Sequence, residues 1–178
     1  GAGKTTLINL LLGLLRPQTG VVKVDSKPVA EHFNAWRAKL GYVPQDIFLL
    51  DDTILRNIAF AVPTEQVDRE AAVRAAQTAQ LHEFITSELR DGYDTRIGER
   101  GARLSGGQRQ RLGLARALYR DPEVIVLDEA TSALDGATET RVIEELESTA
   151  RSKTVIFIAH RLQTIQHCDI VYVLRHGK

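Results

Sequence analysis

The sequence predicts an α/β fold in which helices cover both faces of a mainly parallel sheet. Strand-like and helix-like segments alternate along the chain, an arrangement typical of folds built from crossover units. Residues 123–130 (EVIVLDEA) and 154–160 (TVIFIAH) contain the continuous apolar runs that buried parallel strands show. A glycine-lysine sequence at residues 1–5 (GAGKT) opens the first helix, as a phosphate-binding loop would.

The elements of the first half follow from their flanking residues. A helix over residues 5–16 is closed by Pro17, and a hairpin turns around residues 25–27. A short strand ends at Pro44. An alanine-rich helix over residues 68–80 begins at Asp68, a good N-cap residue.

The second half repeats the alternation. Residues 92–107 form a glycine-punctuated loop, which leads into a helix over 107–119. The apolar strand of 123–130, a helix over 137–150 and the apolar strand of 154–160 follow. Residues 169–178 are predicted as a last strand that enters a turn.

Composition limits the classes of protein. A chain of 178 residues with 43% hydrophobic and 26% charged residues can bury a sizeable core in one domain, or the larger part of one. The 23 basic and 23 acidic residues balance, so bulk charge gives no reason to expect a nucleic-acid partner. The single cysteine, Cys168, cannot form an internal disulfide and fits a reducing compartment. Because methionine is absent, we expect the sequence to be an internal piece of a longer chain.

The loop at the first residues matches the last part of the pattern G-x-x-x-x-G-K-[ST]. Its glycines allow backbone N–H groups to converge on phosphate oxygens. Lys4 can reach terminal phosphates, and the Thr5 hydroxyl can bind Mg²⁺. An ordinary helix that begins with glycine is the alternative.

Two carboxylates, Asp128 and Glu129, end the first apolar strand. Open α/β sheets bind ligands at the carboxyl ends of their strands. Successive residues at a strand end point in different directions, so Asp128 can hold Mg²⁺ through water while Glu129 orients and deprotonates an attacking water. A solvated acidic strand end is the alternative.

The motifs together resemble the nucleotide-binding domain of ABC ATPases. LSGGQ at residues 104–108 resembles the signature of that family, and VIVLDEATSALD at 124–135 resembles its acidic strand and D-loop. Gln45 in YVPQD corresponds to the Q-loop glutamine, and His160 in FIAHRL to the switch histidine.

The resemblance implies a P-loop NTPase sheet, mainly parallel, with an antiparallel β part and an α-helical signature subdomain at about residues 47–120. Residues 1–178 would form one nucleotide-binding domain that is truncated at both ends and lacks its N-terminal strands. The strand before the phosphate loop would lie beside the strand that ends at Asp128.

The resemblance also implies ATP as the nucleotide, with Mg²⁺, and assigns the site. Catalysis would use Glu129, His160 and Lys4, and Mg²⁺ would be held by Thr5, Gln45 and Asp128. The ATP-binding set would comprise Gly1, Ala2, Gly3, Lys4, Thr5, Thr6, Gln45, Ser105, Gly106, Gly107, Gln108 and Asp135. Without the motif set, Gln45 would be a turn residue, His160 a structural residue and Asp135 a helix cap.

In this family two nucleotide-binding domains pair head to tail, and each signature closes over the γ-phosphate held by the partner. The chain would therefore act as a dimer, at the cytoplasmic face of a membrane, with a transmembrane domain fused upstream or on another chain. TRIGERG at residues 95–101 resembles exporter-type members, in which Glu99 would contact the membrane domain. The segment between Gln45 and the signature has no room for the long coiled coil of the DNA-repair members.

The resemblance thus implies ATP hydrolysis that drives export or flipping of a substrate. A regulatory or ribosome-associated ATPase that does not transport is the alternative. The transported substrate, and whether the dimer has one or two kinds of chain, stay open. The arginines of the helix over 107–119 and the residue after it are expected to form a solvated face: Arg109, Arg111, Arg116 and Arg120.

Overall fold

The computed structural model describes residues 3–149, 153–158, 165–166, 168–175 and 177 of the chain. Contacts divide the chain into two compact units. The first unit contains residues 1–40 and 161–178, and the second contains residues 41–160.

The first helix of the first unit is shorter than predicted. Helix α1 spans Lys4–Leu11 and does not reach Pro17. Gly13 adopts a left-handed conformation (φ +71°), which glycine enters without steric cost and which ends helices. The N–H group of Leu14 then donates to the Asn9 carbonyl oxygen at 2.8 Å. The helix therefore ends at its glycine, before the proline.

The predicted hairpin is confirmed in the first unit. Strands β1 (Lys23–Val24) and β2 (Lys27–Pro28) pair antiparallel. Asp25 and Ser26 between them both have positive φ, as a two-residue type I′ turn requires. Helix α2 (Phe33–Ala38) follows, and its buried Trp36 donates from the indole nitrogen to the Leu11 carbonyl oxygen at 2.7 Å.

The sheet of the second unit has the order β3 (Leu40–Val43), β4 (Val124–Asp128), β5 (Thr154–Ile158). Strands β4 and β5 are parallel, as the apolar runs predict. Strand β4 has a neighbour on each side, since it lies between β3 and β5. The expectation that β4 lies beside a strand preceding the phosphate loop is therefore wrong.

The described residues of the second unit form five α-helices: α3 (Ile54–Ile58), α4 (Arg69–Thr78), α5 (His82–Ser87), α6 (Gly106–Leu118) and α7 (Gly136–Thr149). Helices α4, α6 and α7 begin and end within two residues of their predicted bounds, and the Asp68 side chain caps α4 as predicted. The apolar faces of these helices and of β4 form one buried core. Among the described residues, no helix is long and apolar enough to cross a membrane.

The arginines around α6 do not form the predicted solvated face. Arg109 donates to the Leu104 carbonyl oxygen at 2.6 Å, and Arg111 and Arg116 also donate to backbone carbonyl oxygens. Burial lowers the pKa of Arg116 to about 10. These guanidinium groups satisfy backbone carbonyl oxygens, and only Arg120 of the four arginines is exposed.

The predicted last strand is also wrong for the residues that the structure describes. Residues 168–175 are irregular, and no described strand pairs with them. The Tyr172 side chain is 83% exposed and that of Val173 is 72% exposed. An apolar alternation alone does not make a strand, because its N–H and C=O groups need a neighbouring ladder.

Candidate functional site

The acidic end of β4 lies at the carboxyl ends of the parallel strands, where open α/β sheets bind their ligands. Ile125, Val126 and Leu127 are buried, whereas Asp128 and Glu129 are part-exposed. Glu129 has a left-handed backbone (φ +50°), a conformation that costs a residue with a side chain roughly 1–2 kcal/mol. The strand conformation therefore ends at Asp128, and Glu129 begins the turn that follows.

Gln45 and Glu129 are brought together. Gln45 follows β3, the neighbour of β4, and its Nε2 atom donates to Glu129 Oε2 at 3.1 Å. The two motif residues lie 84 positions apart in the chain. The sequence predicted a role for each residue but not this contact, which depends on β3 and β4 being neighbours.

Tyr42 is a further candidate site residue, which the sequence did not indicate. Burial, and then the charge and hydrogen bond of the Asp128 carboxylate, raise the pKa of the Tyr42 hydroxyl. The protonated hydroxyl thus donates to Asp128 at neutral pH. The available signal was a tyrosine two residues before Pro44, on the strand that becomes the neighbour of β4.

The chemistry of these donors fits Mg²⁺. Carboxylate and amide oxygens from Asp128 and Gln45 are the hard ligands that this ion prefers, and Mg²⁺ usually keeps several waters. Within the described part of the chain, no cluster of three or more His, Cys, Asp or Glu side chains could hold a metal.

The signature residues form the beginning of α6. The Ser105 hydroxyl oxygen accepts from the Gln108 N–H group at 3.2 Å, and Gln108 Oε1 accepts from the Ser105 N–H group at 2.7 Å. This capping box leaves the N–H groups of Gly106 and Gly107 in the first turn, where helices attract anions. The signature thus begins a capped helix, and its contact to phosphate stays a prediction.

The segment after Glu129 packs on the same helix. A Cβ atom at Gly107 would lie 3.2 Å from the Ala133 carbonyl oxygen, closer than most real contacts. Thr131 and Glu139 anchor the segment to α7, since the Thr131 hydroxyl donates to Glu139 Oε1 at 2.7 Å. The Glu139 side chain is 2% exposed. The sequence did not indicate this buried contact, because Glu139 lies outside the motif that contains Thr131.

Asp135 caps α7. Its Oδ1 atom accepts from the Thr138 N–H group at 3.0 Å, and this hydrogen bond lowers the pKa of the Asp135 carboxyl. The capping role that the sequence left as an alternative is confirmed. The carboxylate is exposed, so the cap is compatible with a further contact to another molecule.

The lysine loop belongs to the first unit. Gly3 has φ +90° and precedes α1 without a side-chain cap, so the N–H groups of the first turn have no capping side chain. Lys4 is half-buried, and Thr5 and Thr6 are exposed. Three predicted site residues lie outside the described residues: Gly1, Ala2 and His160.

Comparisons with known proteins agree with this chemistry. The family model described as "ABC transporter" matches residues 1–132. An ATP-dependent lipid A-core flippase from Burkholderia thailandensis is 46% identical over 179 aligned residues, which cover 100% of this chain and 29% of the relative. ABC transporter B family member 17 from Arabidopsis thaliana is 43% identical, with 100% of this chain and 14% of that protein covered.

A solved structure is similar over almost the whole chain. It is described as a bacterial Atm1-family ABC exporter with ATP bound and superimposes with a TM-score of 0.91 at 42% identity. The match covers 99% of this chain and 30% of the other. This chain thus spans less than a third of each of these proteins.

Proposed function

Because the chain belongs to the ABC transporter family, as an ATPase domain of it, we propose that it is the motor that couples ATP hydrolysis to the export or flipping of a substrate across a membrane. The exporter and flippase names of its relatives support this direction of transport. The proposal extends to the whole protein, of which this chain would be the part that binds nucleotide.

The contact between Gln45 and Glu129 carries the proposal. Catalysis of hydrolysis requires a base that is held at a fixed position next to the attacking water. Two features hold the Glu129 carboxylate in place. The turn at the end of β4 fixes the Glu129 backbone, and the Oε2 atom accepts a hydrogen bond from Gln45. Glu129 would take the proton of the water that attacks the γ-phosphate.

The other residues would bind and orient the nucleotide. Lys4 would neutralise charge on the terminal phosphates, and His160 would contact the γ-phosphate. Thr5, Gln45 and Asp128 would hold Mg²⁺, which supplies charge neutralisation on the phosphate oxygens. The Tyr42 hydroxyl would keep the Asp128 carboxylate oriented through its hydrogen bond.

The signature would act on a second copy of the domain. Ser105, Gly106, Gly107 and Gln108 would contact the γ-phosphate of ATP held by the partner, with Asp135 at the seam between the two. The first-turn N–H groups of α6 support an anion contact there. A membrane-spanning domain would complete the protein and keep the motor at the cytoplasmic face.

The test uses the intact protein with Mg²⁺ and ATP. We expect Glu129→Gln to lower the steady-state ATPase rate by at least about 100-fold while ATP affinity is kept, because only the base is removed. Lys4→Ala should weaken ATP binding itself. Glu144→Gln, the same change at an exposed position of α7, serves as the matched control. Near-normal turnover in Glu129→Gln would remove Glu129 from the role of base.

A further inference from the structure

The backbone of Glu129 is held from two directions. Its N–H group donates to the Ile158 carbonyl oxygen on β5 at 3.2 Å, and its own carbonyl oxygen accepts from the Ser132 N–H group at 3.0 Å. A left-handed conformation at a residue with a side chain persists only where the surroundings fix it. The position of the Glu129 carboxylate therefore depends on what holds this turn.

Gln110 is the side chain that reaches into the turn. It lies on α6 and is 7% exposed. Its Oε1 atom accepts from the Ala133 N–H group at 2.8 Å, and its Nε2 atom donates to Ser132 Oγ at 3.0 Å. The same Nε2 atom lies 3.4 Å from the Glu129 carbonyl oxygen, a longer and weaker contact.

Gln110 also shares a helix with the signature. Gly106 and Gln110 are four residues apart on α6 and so lie on one face of the helix. Ala133 contacts this face at both places: its Cβ atom lies 3.5 Å from where a Cβ of Gly106 would be, and its N–H group donates to Gln110. Ala133 therefore lies against α6 at two places, through which a displacement of α6 would act on the segment that follows Glu129.

We propose that Gln110 is a positioning residue for Glu129, and that it couples the base to the signature helix of the same chain. This inference rests on the proposed function, in which Glu129 is the base and the signature contacts the partner's ATP. Closure of the signature over the partner's nucleotide would then fix the position of Glu129, which acts on the nucleotide held by its own chain. Gln110 itself touches no reacting atom.

The first test separates turnover from binding in the intact protein. Gln110→Met fills the same space without polar atoms, and Gln110→Glu keeps the acceptor for the Ala133 N–H group but loses the donor. We expect both variants to lower kcat about 10-fold, because a displaced base loses alignment, and to leave the KM for ATP within about twofold. Gln77→Met, the same change at an exposed position of α4, is the control.

The second test asks whether Gln110 acts through Glu129. In a Glu129→Gln background, adding Gln110→Met should lower the residual ATPase rate no further, since the base is already absent. Hydrogen exchange of a peptide containing Ala133 should become faster in Gln110→Met and stay slow in Gln110→Glu. This readout does not depend on turnover.

The outcomes distinguish the inference from the proposed function. If the natural protein hydrolyses ATP and Glu129→Gln stops it, but Gln110→Glu keeps a normal kcat, the inference is overturned and the function stands. A further tenfold loss in the double variant would also overturn it, because Gln110 would then act elsewhere. If Gln110→Met fails to fold, Gln110→Glu decides, since it preserves size. Absence of hydrolysis in the natural protein would overturn both.

Discussion

At the scale of single residues, close backbone contacts fix which positions must be glycine. A Cβ atom at Gly41 would lie 2.6 Å from the Ala117 carbonyl oxygen and 2.8 Å from Pro122 Cγ. These neighbours belong to the end of α6 and the turn after it, so they cannot yield as a flexible side chain would. Gly136 differs, because a Cβ atom there would meet nothing within 4 Å.

We therefore predict that Gly41→Ala destabilises the domain by about 1–3 kcal/mol, the usual cost of overpacking. Gly136→Ala is the matched control and should be neutral or slightly stabilising, since it lies in the first turn of α7. The measurement is the thermal midpoint of the ATPase-domain transition in the intact protein. Equal midpoints for the two variants would contradict the contact at Gly41.

At the scale of elements, polar side chains decide where helices begin and how they are joined. Arg116 on α6 donates to the Phe48 carbonyl oxygen at 2.6 Å and to the Asn57 carbonyl oxygen at 2.9 Å. Its guanidinium group also lies 4.7 Å from the centre of the Phe60 ring. One side chain thus connects α6 to α3 and to the segment after Gln45. The arginines along α6 were expected to be exposed to solvent, because the sequence does not show which segments pack against this helix.

The cap of α7 gives a prediction about pH. The Thr138 N–H group lowers the pKa of Asp135 in the folded protein, so folding favours the charged carboxylate. The charged Asp135 carboxylate contributes its full share to the stability of the fold above the unfolded pKa of the carboxyl, near 3.9. This contribution is lost as the pH falls through the lowered pKa of the folded state. Asp135→Asn keeps a cap acceptor without the charge.

We expect the natural protein to have the higher thermal midpoint at neutral pH, and the difference from Asp135→Asn to shrink below about pH 4. Thermal midpoints of both proteins between pH 7 and pH 3 provide the measurement. A difference that stays constant over this range would show that the Asp135 charge does not support the cap.

At the scale of the whole molecule, local patterns predicted the elements and long-range contacts decided the rest. The alternation of apolar and helical segments in residues 123–160 predicted β4, α7 and β5, and the parallel pairing of the two strands. Such patterns depend on residues that are close together in the sequence. The position of β4 between β3 and β5 was not predictable from that alternation. The same holds for the contacts of Gln110, because its partners lie 19 to 23 residues away and Gln110 itself lies outside the LSGGQ motif.

The sequence predicts a phosphate loop at residues 1–5 and a second anion-binding turn at the signature. We propose that these half-sites serve two different nucleotides, each completed by the partner copy. The family resemblance supports this, as does the separate local structure of each turn: Gly3 opens α1 and Ser105 caps α6. The two arrangements, closure within one chain and closure between two, differ in which chain's signature meets which chain's lysine loop.

The most direct test uses mixed dimers of the intact protein that carry Lys4→Ala and Ser105→Arg in two arrangements. With one substitution on each chain, both lesions fall in one composite site and the other stays intact. With both substitutions on one chain and a natural partner, each site receives one lesion. Both dimers contain the same substitutions, so effects on stability are matched. If each signature closes over the partner's nucleotide, crosslinked dimers of the first arrangement retain one occluded ATP and those of the second retain almost none. Equal occupancy in the two arrangements would contradict closure over the partner's nucleotide.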